Sequence, residues 1–166
     1  MSVNRGKQFE DIIKKSFEKI KGVSIDRLHD QTTHWKGSTN ICDFIVYKRP
    51  YEYYIECKST NASSFYLENI TDTQWRGLKE KSIIPGVFAG VIVWYIKNDI
   101  TVYLPIQFLQ YHLDKGWHGV SLKRDLNDRE FNEETGIIFL SGKKKRVFFE
   151  YDMKEFFDAV FVSKMW

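Results

Sequence analysis

The sequence predicts an α/β or α+β domain built on a mixed central β-sheet, and three observations carry that expectation. The run 87–96 is nearly all apolar and reads as a central strand buried on both faces. The β-rich runs 41–48 and 52–58 are separated by little more than Arg49-Pro50 and read as a hairpin. Apolar residues at helical spacing stand before, between and after these strands, so the pattern runs helix, strands, helix, strand, strand.

Each element has its own signal. Residues 5–21 read as a helix because Phe9, Ile12, Ile13, Phe17 and Ile20 recur on one face; Asn4 is its expected cap and Gly22 its end. Residues 23–28 read as a short strand, and the polar stretch 29–40 as a loop. After the hairpin, 61–70 is mixed. Residues 71–81 read as a helix capped by Thr71 or Asp72, with Trp75 and Leu78 facing inward. Asn98-Asp99 marks a turn into a strand at 100–104, and 105–113 reads as a short helix. Residues 114–136 are hydrophilic and carry few signals. Residues 137–141 and 146–151 are expected to form a second hairpin with a basic tip, and 153–162 a closing amphipathic helix.

Composition bounds the function classes. The 166 residues fit one domain, with a core at about 4–113 and a C-terminal hairpin and helix at 114–166. Hydrophobic residues at 43% and charged residues at 28% exclude a disordered linker, a collagen-like repeat and a disulfide scaffold. The net charge of +3 is too small to announce nucleic acid alone. Met1 is followed by Ser2, Val3, Asn4 and Arg5 rather than an apolar signal core, and the run 86–96 is too short to span a bilayer. With Cys42 and Cys57 forming no CxxC pair, the expectation is a reduced, cytoplasmic protein without a membrane partner.

The chemistry concentrates between Asp43 and Lys58. If Arg49-Pro50 is a two-residue turn, opposed residues have numbers summing to 99, and Asp43 opposes Glu56 across adjacent strands. Like charges so placed destabilise a sheet unless something positive lies between them. Hard carboxylate oxygens suit Mg²⁺ or Mn²⁺, and Lys58 shares the face of Glu56. Two carboxylates, a divalent ion and a lysine form a kit for phosphodiester hydrolysis. The plainer alternative is that Asp43, Glu56 and Lys58 are ordinary residues of an exposed sheet face; spacing alone leaves both open.

Asp43 and Glu56-Cys57-Lys58 match the D…(D/E)-x-K signature of the PD-(D/E)xK nucleases. Around it stand Asn4-Arg5-Gly6 and Phe9-Glu10, then Ser59-Thr60, Phe65, Leu67, Gln74 and Gly86-Val87-Phe88-Ala89-Gly90. In this order the chain resembles the RecU-type Holliday junction resolvases of Gram-positive bacteria and their phages, over 4–113. The resemblance implies a restriction-endonuclease-like α/β core with a mixed central sheet flanked by helices. It implies that Glu10, Asp43 and Glu56, with the Cys57 carbonyl, hold Mg²⁺, for which Mn²⁺ substitutes. It makes Lys58 the catalytic lysine and gives Gln74 the task of orienting the lysine, the water or the DNA. It further implies that Arg5, Ser59 and Thr60 contact the DNA backbone, and that two symmetric cuts require a homodimer. Three features depart from the family pattern: Cys57 stands where Ala is common, Thr73 where His is, and 29–42 lacks a long basic stalk.

The remaining candidates are read more plainly. Without the resemblance Glu10 is a structural helix residue, either solvent-facing or at the boundary beside Phe9 and Ile13. Cys42 and Cys57 also sum to 99, so they are expected to oppose each other as two buried thiols, with a cross-strand disulfide as the alternative. His29, His34, His112 and His118 lack zinc spacing. Lys143, Lys144, Lys145 and Arg146 are either a solvated loop or a phosphate clamp, and Arg76 and Lys79 are candidates to line a DNA path. Trp94 is expected in the core, and Tyr53 and Tyr54 on opposite faces. The functions in view are thus resolution of branched DNA, nuclease action on another DNA substrate such as duplex, and a non-catalytic DNA-binding module on the same scaffold.

Overall fold

A computed structural model describes residues 5–28, 40–127 and 135–163, with side chains placed through 160. Asn4, His29, His34 and most of the expected 29–40 loop lie outside the described residues. In chain order the elements are α1 (Arg5–Glu18), β1 (Val23–Arg27), β2 (Phe44–Lys48), β3 (Tyr51–Thr60), β4 (Ser64–Tyr66) and α2 (Asp72–Ser82). There follow β5 (Val87–Tyr95), β6 (Ile100–Pro105), α3 (Ile106–Asp114), β7 (Gly119–Ser121), β8 (Ile138–Phe139), β9 (Gly142–Lys145), β10 (Phe148–Tyr151) and α4 (Met153–Ser163).

Six strands form one mixed sheet in the order β1-β2-β3-β5-β6-β8. Only β3 and β5 run parallel, and α2 lies in their crossover, as a parallel pair requires. Every residue of β5 is buried because helices cover both faces. On one face Phe9, Ile13 and Phe17 of α1 and Met153, Phe156 and Phe157 of α4 pack against Tyr53, Ile55, Phe88, Ile92 and Trp94. On the other, Leu78 of α2 and Ile106, Phe108 and Leu109 of α3 pack against Tyr54, Val91, Val93 and Val102. Burying each such Phe or Leu contributes roughly 1.5–3 kcal/mol, so both layers hold the sheet in place. This is the mixed central sheet flanked by helices that the sequence predicts.

The β2–β3 register is the predicted one: Tyr47 pairs with Glu52, Ile45 with Tyr54 and Phe44 with Ile55, around a two-residue turn at Arg49-Pro50. The C-terminal prediction needs correction. Residues 137–141 do not pair with 146–151. Ile138 and Phe139 instead close the main sheet against β6, because the apolar Ile137, Ile138 and Leu140 are buried there. The basic run is itself the strand β9, paired with β10 around Arg146 and Val147. Arg146 takes the left-handed conformation that this tight turn requires, with φ 54°. The weakly signalled segments 61–70 and 114–136 meet in a separate two-stranded ladder, β4 with β7. No helix among the described residues is long and apolar enough to cross a membrane.

Candidate active site

Strand β3 carries Glu56 and Lys58 two residues apart, so both project on the α2 side of the sheet, the face of Tyr54. Glu56 is only 3% exposed. Its Oε1 lies 2.8 Å from Lys58 Nζ and accepts a hydrogen bond of 2.7 Å from Gln74 Nε2. The helix cap fixes which end of the Gln74 amide faces Glu56. The Thr71 N–H donates to Gln74 Oε1 at 3.0 Å, and the Gln74 N–H donates to the Thr71 hydroxyl oxygen at 3.3 Å. With Oε1 held by this capping box, Nε2 is the end left to point at the carboxylate. Thr71, rather than Asp72, is therefore the cap.

Glu56 Oε2 is buried and has no hydrogen-bond partner among the described residues. An unpaired carboxylate oxygen away from water is costly, and a cation relieves the cost. Burial accordingly pushes Glu56 up from the usual carboxylate range, against the pull of Lys58.

The predicted direct opposition of Asp43 and Glu56 is corrected by a local break in the ladder. The Asp43 N–H donates to the Ile55 carbonyl at 3.1 Å, although Ile55 is already the partner of Phe44. Two residues thus oppose one, as in a bulge, and a bulge re-aims a side chain. The Asp43 carboxylate turns along the strand and accepts the Cys57 N–H at 2.8 Å. Burial, and then the charge of Glu56, push its pKa up to about 7. Ile55 and Cys57 present their peptide groups to the same edge of β3, so the Cys57 carbonyl faces the side where β2 has ended. The bulge also separates the cysteines. Cys42 packs in the α2 layer and Cys57 in the α1 layer, both as free thiols, so the expected opposition and the disulfide alternative both fail.

Glu10 approaches from the first half of α1. Its Oε2 is bonded by Arg27 Nη2, while Arg27 Nη1 donates to Asp11 Oδ1 at 2.7 Å. Burial and the charge of Asp43 push Glu10 up, and Arg27 opposes them. The three carboxylates therefore interact but do not form one ligand set: among the described residues no group of three or more His, Cys, Asp and Glu side chains is arranged to hold a metal. The oxygens that could receive a hard divalent ion are those of Asp43, Glu56 Oε2 and the Cys57 carbonyl.

The other predicted contact residues surround this cluster unevenly. Arg5 opens α1 and is exposed; Arg76 and Lys79 are exposed on α2, beyond Gln74. Ser59 is half-buried. The Thr60 hydroxyl is engaged in the turn after β3, accepting the Ala62 N–H at 3.1 Å. On β9, Lys144 is paired with Asp99, and Lys145 lies 3.6 Å from Glu150, so that run is partly neutralised. Lys143 and Arg146 are exposed. Tyr53, Tyr54 and Trp94 are buried, which removes them as base-stacking surfaces.

Arg27 is the site residue that sequence reasoning missed. It ends a five-residue strand, and its partners are 16 and 17 positions away, so no local pattern marks it.

No family model and no curated protein matches the chain. Among solved structures, the chain is similar to Hjc, a Holliday junction resolvase from the archaeal hyperthermophile Archaeoglobus fulgidus. Identity is 19%, the match covers 61% of this chain and 78% of that one, and the TM-score is 0.47.

Proposed function

We propose that this chain is a metal-dependent DNA endonuclease of the PD-(D/E)xK type that cuts branched DNA, in the manner of the RecU-type junction resolvases its motif resembles. The observation that carries the proposal is Glu56: one carboxylate oxygen fixes Lys58 and Gln74 while the other is buried and unpaired among the described residues, and the Glu56 charge acts on Asp43. Most buried polar atoms in folded proteins have a partner, so an unpaired carboxylate oxygen calls for one.

Asp43, Glu56 and the Cys57 carbonyl would hold Mg²⁺, with Mn²⁺ as a substitute. When bound, that ion polarises the scissile phosphate and lowers the pKa of a coordinated water. Lys58 is held by Glu56 before substrate arrives, so its charge is positioned toward the phosphoryl oxygens without reorganisation. Gln74 uses one N–H on Glu56 and keeps a second to orient the attacking water or a DNA oxygen. Water gives up a proton to solvent and attacks in line at phosphorus, the bond from phosphorus to the 3′ oxygen breaks, and the 3′ oxygen takes a proton from solvent. Arg5, Arg76, Lys79, Lys143 and Arg146 supply exposed positive charge for the backbone. Symmetric cuts in a four-way junction require two such sites, hence a two-fold homodimer.

The test is cleavage of a labelled four-way junction beside linear duplex of the same arms, with Mg²⁺ or Mn²⁺, by the wild type and Glu56→Ala. Paired symmetric cuts in the junction alone, lost in the variant, support resolution. Cuts in both substrates, lost in the variant, move the function to a nuclease of broader substrate. Binding without cleavage of either moves it to a DNA-binding module.

A further inference from the structure

Resting on the metal-site reading above, we infer that Arg27 restricts the site to a single divalent ion by holding Glu10 out of the ligand set. The ladder itself positions Arg27: it pairs with Phe44, and the next residue, Leu28, donates its N–H to the Asp43 carbonyl at 2.8 Å. Its guanidinium lies 5.8 Å from the centre of the Phe44 ring and is therefore fixed beside the bulge that aims Asp43. From there its two ends take different carboxylates, Glu10 and Asp11. Those residues are consecutive on a helix and diverge by about 100°, so a planar fork can serve both where a single ammonium could not.

The charges around the site support the same conclusion. Glu10, Asp11, Asp43 and Glu56 bring four negative charges when ionised, and Arg27 and Lys58 bring two positive ones. One divalent ion neutralises the remainder. A second would have to settle beside the Arg27 guanidinium, against like charge. The ligand geometry agrees. Among the described residues Glu56 Oε2 has no partner and Asp43 has only the Cys57 N–H, and the two carboxylates feel each other's charge, so both keep oxygens free for an ion. Of the two Glu10 oxygens Oε2 is already taken by Arg27, and among the described residues Glu10 completes no group of three side chains arranged to hold a metal. Glu10 thus acts through Arg27 as a positioning residue, and its expected role as a ligand passes to it only when Arg27 is removed.

Mn²⁺ titration of the purified protein at neutral pH, without DNA, tests this by calorimetry and by the electron spin resonance of free Mn²⁺. The wild type is expected to bind one ion. Arg27→Gln is expected to bind two, and adding Glu10→Gln to that variant is expected to return the count to one. A wild-type count of two, or an Arg27→Gln count that stays at one, overturns the inference while the metal site stands. A wild type that binds no Mn²⁺ overturns both the inference and the metal-site reading. Should Arg27→Gln fail to fold, the wild type alone decides. At saturating Mn²⁺ it should give the signal of isolated ions, and a spin-coupled pair would overturn the inference.

Discussion

Replacing Asp43 by Asn should stabilise the protein when metal is absent. The Asp43 carboxyl is shifted from an ordinary 3.8 to about 7 by burial and by Glu56. A raised carboxyl pKa favours folding while the group is protonated. That contribution is fully present below about pH 3.8 and is lost as the pH rises through about 7. At about 1.4 kcal/mol per pKa unit the full loss approaches ~4 kcal/mol, and sharing of the proton with Glu56 and partial solvation reduce it to roughly 1–3 kcal/mol. Asn cannot ionise, yet its oxygen can still accept the Cys57 N–H. Thermal unfolding followed by circular dichroism in chelator should therefore show little difference at pH 4. At pH 8 the variant should melt about 2–12 °C higher, using roughly 2–4 °C per kcal/mol for a chain of this size. Mn²⁺ at a thousand times its Kd should reverse the order, since binding then adds about 4.1 kcal/mol to the wild type only. If Asp43→Asn melts below the wild type at pH 8 in chelator, the bond from Cys57 outweighs the carboxylate repulsion and the reasoning fails.

Other perturbations separate the fold from the chemistry. Gln74→Glu keeps a side chain that can complete the capping box but replaces the donor facing Glu56 with an acceptor, so cleavage should fall at least about 100-fold while helix content stays unchanged by circular dichroism. Gly90→Ala puts a Cβ 2.4 Å from the Leu104 carbonyl oxygen, which is backbone and cannot yield; chemical denaturation should show a loss of about 2 kcal/mol or more. Lys143→Ala should reduce the salt dependence of DNA binding by about 0.9 in log–log slope, and Lys144→Ala by less because Lys144 is partnered by Asp99; binding isotherms across a salt series decide. His112 is buried 3.4 Å from Asp125, and burial lowers its pKa below 6.5 against the pull of Asp125. The stability it contributes is present above its ordinary pKa and lost as pH falls through the lowered value, so its ring signals in NMR should titrate below 6.5.

The parts of this fold that are legible in sequence are those set by local rules. A two-residue turn at Arg49-Pro50 fixes the β2–β3 register by counting, and a short unbroken apolar run rich in β-branched and aromatic residues reads as a strand covered on both faces, as β5 is. The sequence marked 137–141 as a strand but not its partner, since an apolar strand pairs where its face is buried, here against β6 rather than β10. The same limit applies within the site. The motif placed Glu56, Lys58 and Gln74 on converging elements, and they do converge on one oxygen. The bulge at Asp43 has no such signature. No Gly or Pro marks it, and it forms because the carboxylate finds the Cys57 N–H beyond the end of the ladder. Arg27 is invisible for a related reason: a fork between α1 and β1 exists only after both are folded.

The architecture also explains how Glu56 can keep a costly buried oxygen unpaired. Strand β3 is paired along most of its length, to β2 on one side and to β5 from Glu52 to Thr60 on the other, so its backbone cannot shift to relieve the side chain. The crossover helix is anchored by Leu78, fully buried, and by Gly77, whose missing Cβ leaves room for Ile41 just upstream of the bulge. Gln74 cannot withdraw without breaking the cap that starts this helix, a loss of about 1 kcal/mol. Lys58 is fixed to the same strand as its partner. Rearrangement to satisfy Glu56 Oε2 from within the protein would cost sheet pairing or helix capping, so an external cation is the partner that requires neither. On the proposed metal-site reading, the fold therefore keeps this carboxylate oxygen unpaired and ready for an ion.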